Sequence, residues 1–259
     1  VRVTILGSGG SGGVPIAGLG WGACDPANPR NRRLRPSILV EHLGTSILVD
    51  TSPDLRQQLL AAGVSRLDAV LYTHAHADHL HGIDDLRGIN RAMGRALPAY
   101  ATEAAWDGIR RRFGYALEPP AAGHAFYKPA LAATAIAAGD VVSVGAVRVA
   151  AIDQDHGFSR TLGFRFGPIA YSTDAVELPD TAFAALAGVD TWIVGALTDA
   201  PHPTHAHVAK ALGWIDRVRP RRAVLTHLGF DLDYDTLGSR LPPGVEAAFD
   251  GLVVEALGD

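Results

Sequence analysis

The chain has 259 residues, of which 47% are hydrophobic and 19% charged, as expected of a soluble globular protein with a sizeable core. A formal net charge of -4 argues against a general nucleic-acid binder, and no apolar run approaches the roughly 20 residues of a membrane span. The one cysteine, Cys24, excludes an intrachain disulfide and fits a reducing compartment.

Residues 1–6 read as an opening strand, too short and wrongly flanked for a signal peptide, so the expected location is the cytoplasm. No linker-like stretch divides the chain, and residues 1–259 are expected to form one domain. The glycine-rich run 7–13 follows the first strand with no P-loop lysine–serine pair and no helical pattern behind it. It reads equally well as a plain loop or as a ligand-binding one. Residues 18–35 form a long irregular segment carrying Trp21, Cys24, Pro26, Pro29 and the arginines Arg30, Arg32, Arg33 and Arg35. Such a cluster either clamps phosphate or faces solvent. Residues 37–41 and 46–50 flank His42-Leu43-Gly44-Thr45 in a hairpin pattern. Residues 55–62 read as a short helix, opened by Ser52-Pro53-Asp54 and stopped at Gly63.

The apolar run 69–73 is a strand that delivers Thr73-His74-Ala75-His76-Ala77-Asp78-His79. Alternation sends His74 and His76 to one side, while Asp78 and His79 fall where the chain turns into a helix and can face a second point. Burying these groups unpaired would be costly, and the order H-x-H-x-D-H is far more specific than histidine enrichment. The run therefore suits two adjacent metal ions. Residues 81–87 continue as a helix or turn. Residues 102–112 are helix-like and end in Arg110, Arg111 and Arg112, where cations favour a helix C-terminus. Residues 127–152 read as short strands with glycine turns and lead to His156. A strand pair, 162–166 and 169–171, delivers Ser172-Thr173-Asp174. Residues 190–194 are a buried strand, 205–218 an amphipathic helix, and 222–226 a strand that delivers His227. His74, His156, Asp174 and His227 thus each stand just past a strand-like run, which gathers them on one edge of a sheet.

Taken in this order and spacing, the H-x-H-x-D-H run, His156, Ser172-Thr173-Asp174 and Thr226-His227 resemble the metallo-β-lactamase-fold hydrolases over nearly the whole chain. The resemblance implies an α/β (α+β) fold, an αββα sandwich of two mixed β-sheets flanked by helices, with a dinuclear metal site at one edge. Within that superfamily the chain is most similar to the phosphoribosyl 1,2-cyclic phosphate phosphodiesterases, which are related to ribonuclease Z. Gly12-Gly13-Val14-Pro15, His81-Gly82-Ile83-Asp84-Asp85-Leu86-Arg87 and Pro203-Thr204-His205-Ala206-His207 carry this likeness. There is a departure. The family's C-x-C-x-x-C run and later histidine, which together hold a structural zinc, read here as Leu19, Trp21, Cys24 and Phe230. One thiol cannot close a four-ligand zinc site. A third, structural zinc is thus expected to be absent, with Trp21 packing and the prolines holding the loop instead.

The resemblance implies that His74, His76 and His156 hold one divalent ion, that Asp78, His79 and His227 hold another, and that Asp174 bridges them. Zinc suits these donors best, and manganese or iron is also compatible. Two such ions would supply hydroxide from a shared water at ordinary pH. His205 corresponds to a family histidine that acts near the scissile phosphate, and it is the candidate for protonating the leaving alkoxide. Asp78 is counted as catalytic as well as metal-binding. Asp85, Arg87 and His207 are candidate substrate-binding residues, with His202 and His207 weaker alternatives to His205. The leading expectation is a phosphodiesterase acting on a small cyclic or nucleotide-like phosphodiester. The alternatives are a lactone, thioester or β-lactam hydrolase, and a non-catalytic metal-bearing accessory protein of cofactor biosynthesis. No long insertion that could grip tRNA is visible. The expected partner is a small molecule rather than a membrane or nucleic acid, and a homodimer is left open.

Overall fold

The computed structural model describes residues 1–118 and 126–256, and in it fourteen strands form two seven-stranded sheets. Strands β1 (Arg2–Gly7), β2 (Ser37–His42), β3 (Thr45–Val49), β4 (Ala69–Leu71), β5 (Leu97–Ala101) and β6 (Leu131–Ala135) build the first sheet in that order. The second sheet contains β7 (Val141–Val144), β8 (Val147–Asp155), β9 (Arg160–Phe166), β10 (Ile169–Ser172), β11 (Thr191–Gly195), β12 (Arg222–Thr226) and β13 (Val245–Ala247). A last strand, β14 (Val253–Glu255), returns to pair with β1. Both sheets are mixed. β1, β2 and β3 pair antiparallel and β3 to β6 parallel, while β7 to β10 pair antiparallel and β10 to β13 parallel.

The strand sequences explain the layering. Successive side chains point to opposite faces of a sheet. Val3 and Ile5, Ile38 and Val40, and Ile47 and Val49 therefore face inward, where they meet Phe164, Phe166, Ile193 and Val224 of the second sheet. The intervening Leu39, Leu48 and Val70 face outward and are covered by α1 (Leu55–Ala61), α2 (Ala77–Leu80), α3 (Leu86–Met93) and α4 (Glu103–Phe113). On the other side, Trp192, Val194, Ala223 and Leu225 pack under α5 (Asp180–Leu186), α6 (Val208–Val218) and α7 (Tyr234–Arg240). Strands buried on both faces read as nearly continuous apolar runs, which is why these were legible. No helix among the described residues is long and apolar enough to cross a membrane.

Three sequence readings need correction. The helix expected from residue 205 begins at Val208, so residues 205–207 stay outside it and His205 stands on a loop. Asp54 does not cap α1 with its side chain. Its carboxylate accepts instead from Arg35 N at 2.9 Å and Arg35 Nη2 at 2.6 Å. Of the arginines of the 18–35 loop, Arg30 and Arg32 are exposed, as the solvent-facing reading has it, but Arg33 is buried. Arg30 lies over the Tyr234 and Phe249 rings, and Arg32 over Trp21. Arg33 is 1% exposed and donates to Gly229 O at 2.9 Å, Leu232 O at 2.7 Å and Asn31 Oδ1 at 3.2 Å. Asn31 in turn donates to Asp233 Oδ2 at 2.7 Å. The loop is thus tied to residues 229–234 by a buried guanidinium and an amide, with Trp21 stacking playing a smaller part. Gly22 is needed there twice over, because its φ is 58° and a Cβ would sit 2.3 Å from the Phe230 ring.

Candidate metal centre

Five strand ends converge on one edge of the sandwich: those of β3, β4, β8, β10 and β12. They bring seven donors together as two sets that share one residue. His74, His76, His156 and Asp174 form the first set, and Asp78, His79, Asp174 and His227 the second, with the donor atoms of each set within 4.8 Å of one another. His74 and His76 fall together, and Asp78 and His79 of α2 face the other point, as the alternation of the turn predicts.

Hydrogen bonds behind the imidazoles fix which nitrogen faces the centre. A backbone carbonyl only accepts, so His156 Nδ1, 2.6 Å from Thr204 O, carries the proton and leaves Nε2 bare. His79 Nδ1 donates to Asp50 Oδ2 at 2.6 Å. Thr73 also serves Asp50, its N–H donating to Oδ1 and its hydroxyl to Oδ2, both at 2.8 Å. That leaves the Thr73 hydroxyl to accept from His74 Nδ1 at 2.9 Å. The result is a set of imidazoles whose Nε2 lone pairs point inward, the state in which histidine binds metal. Asp174 is held as firmly: Thr173 Oγ1 donates to its Oδ1 at 2.6 Å, and Thr161 Oγ1 to its carbonyl at 3.0 Å. Asp50, Asp174 and His227 all adopt left-handed backbone, with φ of 63°, 51° and 58°. Such conformations cost energy in non-glycine residues and gather at functional sites.

Among the described residues, His74 Nε2, Asp78 Oδ2, His79 Nε2 and both ring nitrogens of His227 are buried without a hydrogen bond, and they crowd one another instead, with His79 Nε2 3.2 Å and His227 Nε2 3.1 Å from Asp174 Oδ1. Polar atoms left buried and short of a hydrogen bond cost about 1–3 kcal/mol each. The electrostatics agree. Burial holds the His74 and His156 imidazoles below their usual pKa, hence neutral. Burial also works against charge on His79, but the carboxylates of Asp174, Asp78 and Asp50 outweigh it and hold that pKa well above the usual value. Three carboxylates around one imidazole call for positive charge at this point. A divalent cation meets that demand and the orphaned donors together, so the residues present fit a metal ion.

The other candidates are placed as follows. His205 Nε2 lies 3.1 Å from Asp174 Oδ2, and its ring stacks on His227 at 5.0 Å and meets His156 edge-on at 4.7 Å. Gly157, at φ 78°, allows this loop to close in, since a Cβ would sit 2.8 Å from Pro203 O. His202 Nδ1 is 3.3 Å from His205 Nδ1. His207 sits at the N-cap of α6 with no side-chain capping bond. Asp85 lies at the start of α3, and Arg87 reaches Tyr127 O at 3.4 Å. Asp50 was not read as a site residue from the sequence: it follows an apolar run as His74 does, but its bond to His79 comes from the pairing of β3 with β4.

A two-sheet sandwich flanked by helices, with paired histidine–aspartate sets sharing one aspartate at its edge, defines a metallo-β-lactamase-fold protein with a divalent-metal site. Residues 45–228 match the beta-lactamase superfamily domain, and the chain belongs to that superfamily. The crystal structure of a diphosphatase from the PhnP family superimposes with a TM-score of 0.89 at 32% identity, covering 98% of this chain and 96% of that one. Zinc-bound PqqB from Methylobacterium extorquens gives 0.79 at 20% identity, covering 99% and 100%, which shows the shared fold. An octanoyltransferase of Porphyromonas gingivalis is 34% identical over 257 residues, 97% of this chain but 51% of that protein. The chain thus spans about half the length of that curated relative.

Proposed function

We propose that this protein is a metal-dependent phosphodiesterase acting on a small cyclic or nucleotide-like phosphodiester. The observation that carries the reading is His205. It is an imidazole outside both donor sets, poised over their shared aspartate, with its side chain 15% exposed and so within reach of a bound substrate. His74, His76 and His156 would hold one ion, Asp78, His79 and His227 the other, and Asp174 would touch both. Zinc is the best match to these donors, and manganese or iron is compatible. When bound, such ions lower the pKa of water and neutralise phosphate oxygens. The alkoxide leaving group still needs a proton, and His205 Nε2 supplies it. The Thr204 hydroxyl, 2.8 Å from His205 Nδ1, orients the ring. A diphosphatase among its similar structures supports chemistry at phosphorus.

The test is turnover of bis(p-nitrophenyl) phosphate and ribonucleoside 2′,3′-cyclic phosphates by metal-loaded protein and by His205→Ala. The expected loss in kcat is about 10²–10⁴-fold with metal content retained. A second reading, hydrolysis of an acyl ester or thioester, draws on the 34% identity to the octanoyltransferase. Turnover of octanoyl thioesters with none of phosphodiesters, metal being bound, would decide for it.

A further inference from the structure

Strand β8, which leads to His156, buries one amide on its way. Ile152 and Gln154 share a face of the strand by its two-residue period, and Ile152 packs in the apolar layer beneath α5, α6 and α7. Gln154 is fully buried on that face. A polar group in such surroundings needs partners, and those Gln154 has are telling.

The Gln154 side chain lies beside Thr161, its opposite number across the β8–β9 pair. Its Nε2 donates to Thr173 O at 2.7 Å and to Thr161 Oγ1 at 3.1 Å. The Thr161 hydroxyl spends its own proton on Asp174 O, 3.0 Å away. Both neighbours can therefore only accept, and nitrogen rather than oxygen must face them. The amide oxygen is turned towards Gly163, where a Cβ would sit 2.5 Å from it. Among the described residues nothing donates to that oxygen, although it is buried.

Asp174 belongs to both donor sets and has a left-handed backbone, with φ of 51°. That torsion runs between the carbonyl carbons of residues 173 and 174. These are the two carbonyls that the amide holds, one directly and the other through Thr161. A conformation that is costly for a non-glycine residue persists only where its surroundings over-determine it.

We propose that Gln154 is a positioning residue of the metal edge. Its amide locks the bend at Asp174 and presets the carboxylate that both sets share, and the unpartnered oxygen is the cost of that orientation. The inference rests on the metal centre and not on the phosphodiesterase reading. An amide that merely supports the fold would affect stability and leave metal affinity alone.

The experiment measures zinc affinity by chelator competition, the absorption spectrum of the cobalt-loaded protein, and the urea midpoint of the metal-free protein. Gln154→Met keeps the length of the side chain and removes both N–H donors. It is expected to weaken zinc binding about 10–100-fold and to change the cobalt spectrum, with the metal-free protein still folded. Thr161→Val breaks the second link and should move both readouts in the same direction by less, whereas Thr161→Ser keeps the hydroxyl and should stay near wild type. Wild-type zinc affinity and cobalt spectrum in Gln154→Met overturn the proposal, whether or not the urea midpoint falls. Should Gln154→Met fail to fold, the Thr161 pair decides, and a Thr161→Val variant that binds metal as wild type does overturns it equally. A wild type that binds no zinc fails one step earlier, at the metal centre, and removes the proposal with it.

Discussion

The metal edge and the 18–35 loop are both rich in polar and charged side chains, yet they treat buried polar atoms in opposite ways. At the edge, among the described residues, His74 Nε2, Asp78 Oδ2, His79 Nε2 and both His227 nitrogens are buried without a hydrogen bond. In the loop, Arg33 is just as buried but donates to two carbonyls and an amide oxygen, and only its Nε goes without. A polar cluster that satisfies itself is structural, and one that leaves inward-facing atoms unpaired awaits something from outside. As strings of residues, the histidine run pointed to metal, while the loop's arginines read equally as a phosphate clamp or a solvent-facing cluster.

The largest effect should come from Asp174, which belongs to both donor sets. Loss of an outer-shell partner alone costs roughly 10–100-fold in metal affinity. Asp174→Ala is therefore expected to lose metal from both sets and to lower turnover by more than about a hundredfold. Metal analysis after dialysis checks this, and full metal retention would show that the edge is not organised around this residue.

Arg33→Met should act on stability instead. It leaves the Gly229 and Leu232 carbonyls without their donor, which costs about 3 kcal/mol in urea denaturation, with metal content unchanged. Metal loss in this variant would join the two regions into one unit and break the contrast.

A smaller effect lies in the pH dependence of Asp250, which helps to fix the loop. Its carboxylate accepts from Ser8 N at 2.8 Å, Ser8 Oγ at 2.7 Å and Leu34 N at 2.7 Å. Burial pushes its pKa from 3.8 up to about 6. Between those values the folded state binds the proton more tightly than the unfolded state does. This group's share of stability therefore falls as pH rises through the window and is level above it. The difference amounts to about 2–3 kcal/mol. Urea midpoints from pH 4 to 7 should slope differently in wild type and Asp250→Asn, and parallel profiles would refute the assignment.

How much the sequence revealed follows from what is local. Of the candidate donors, His74, His156, Asp174 and His227 were legible because each stands just past an apolar run, and His76, Asp78 and His79 from the order of the H-x-H-x-D-H turn; the inward faces of the strands follow from alternation. Asp50 was missed because its role depends on β3 lying parallel to β4, with Val49 opposite Leu71. That pairing sets Asp50 beside Thr73, which lies 23 positions away in the chain. Burial of Arg33 among exposed neighbours leaves no mark on composition. The short strands β5, β13 and β14 and the helices α5 and α7 were not read either, since tertiary pairing rather than local pattern defines them.

The Arg33 anchor also bears on life under metal starvation. A latch made of guanidinium and peptide oxygens contains no ion for a chelator to strip. Withdrawal of divalent cations should therefore empty the edge while the loop stays fastened, so that resupply alone refills the donors and no refolding is needed.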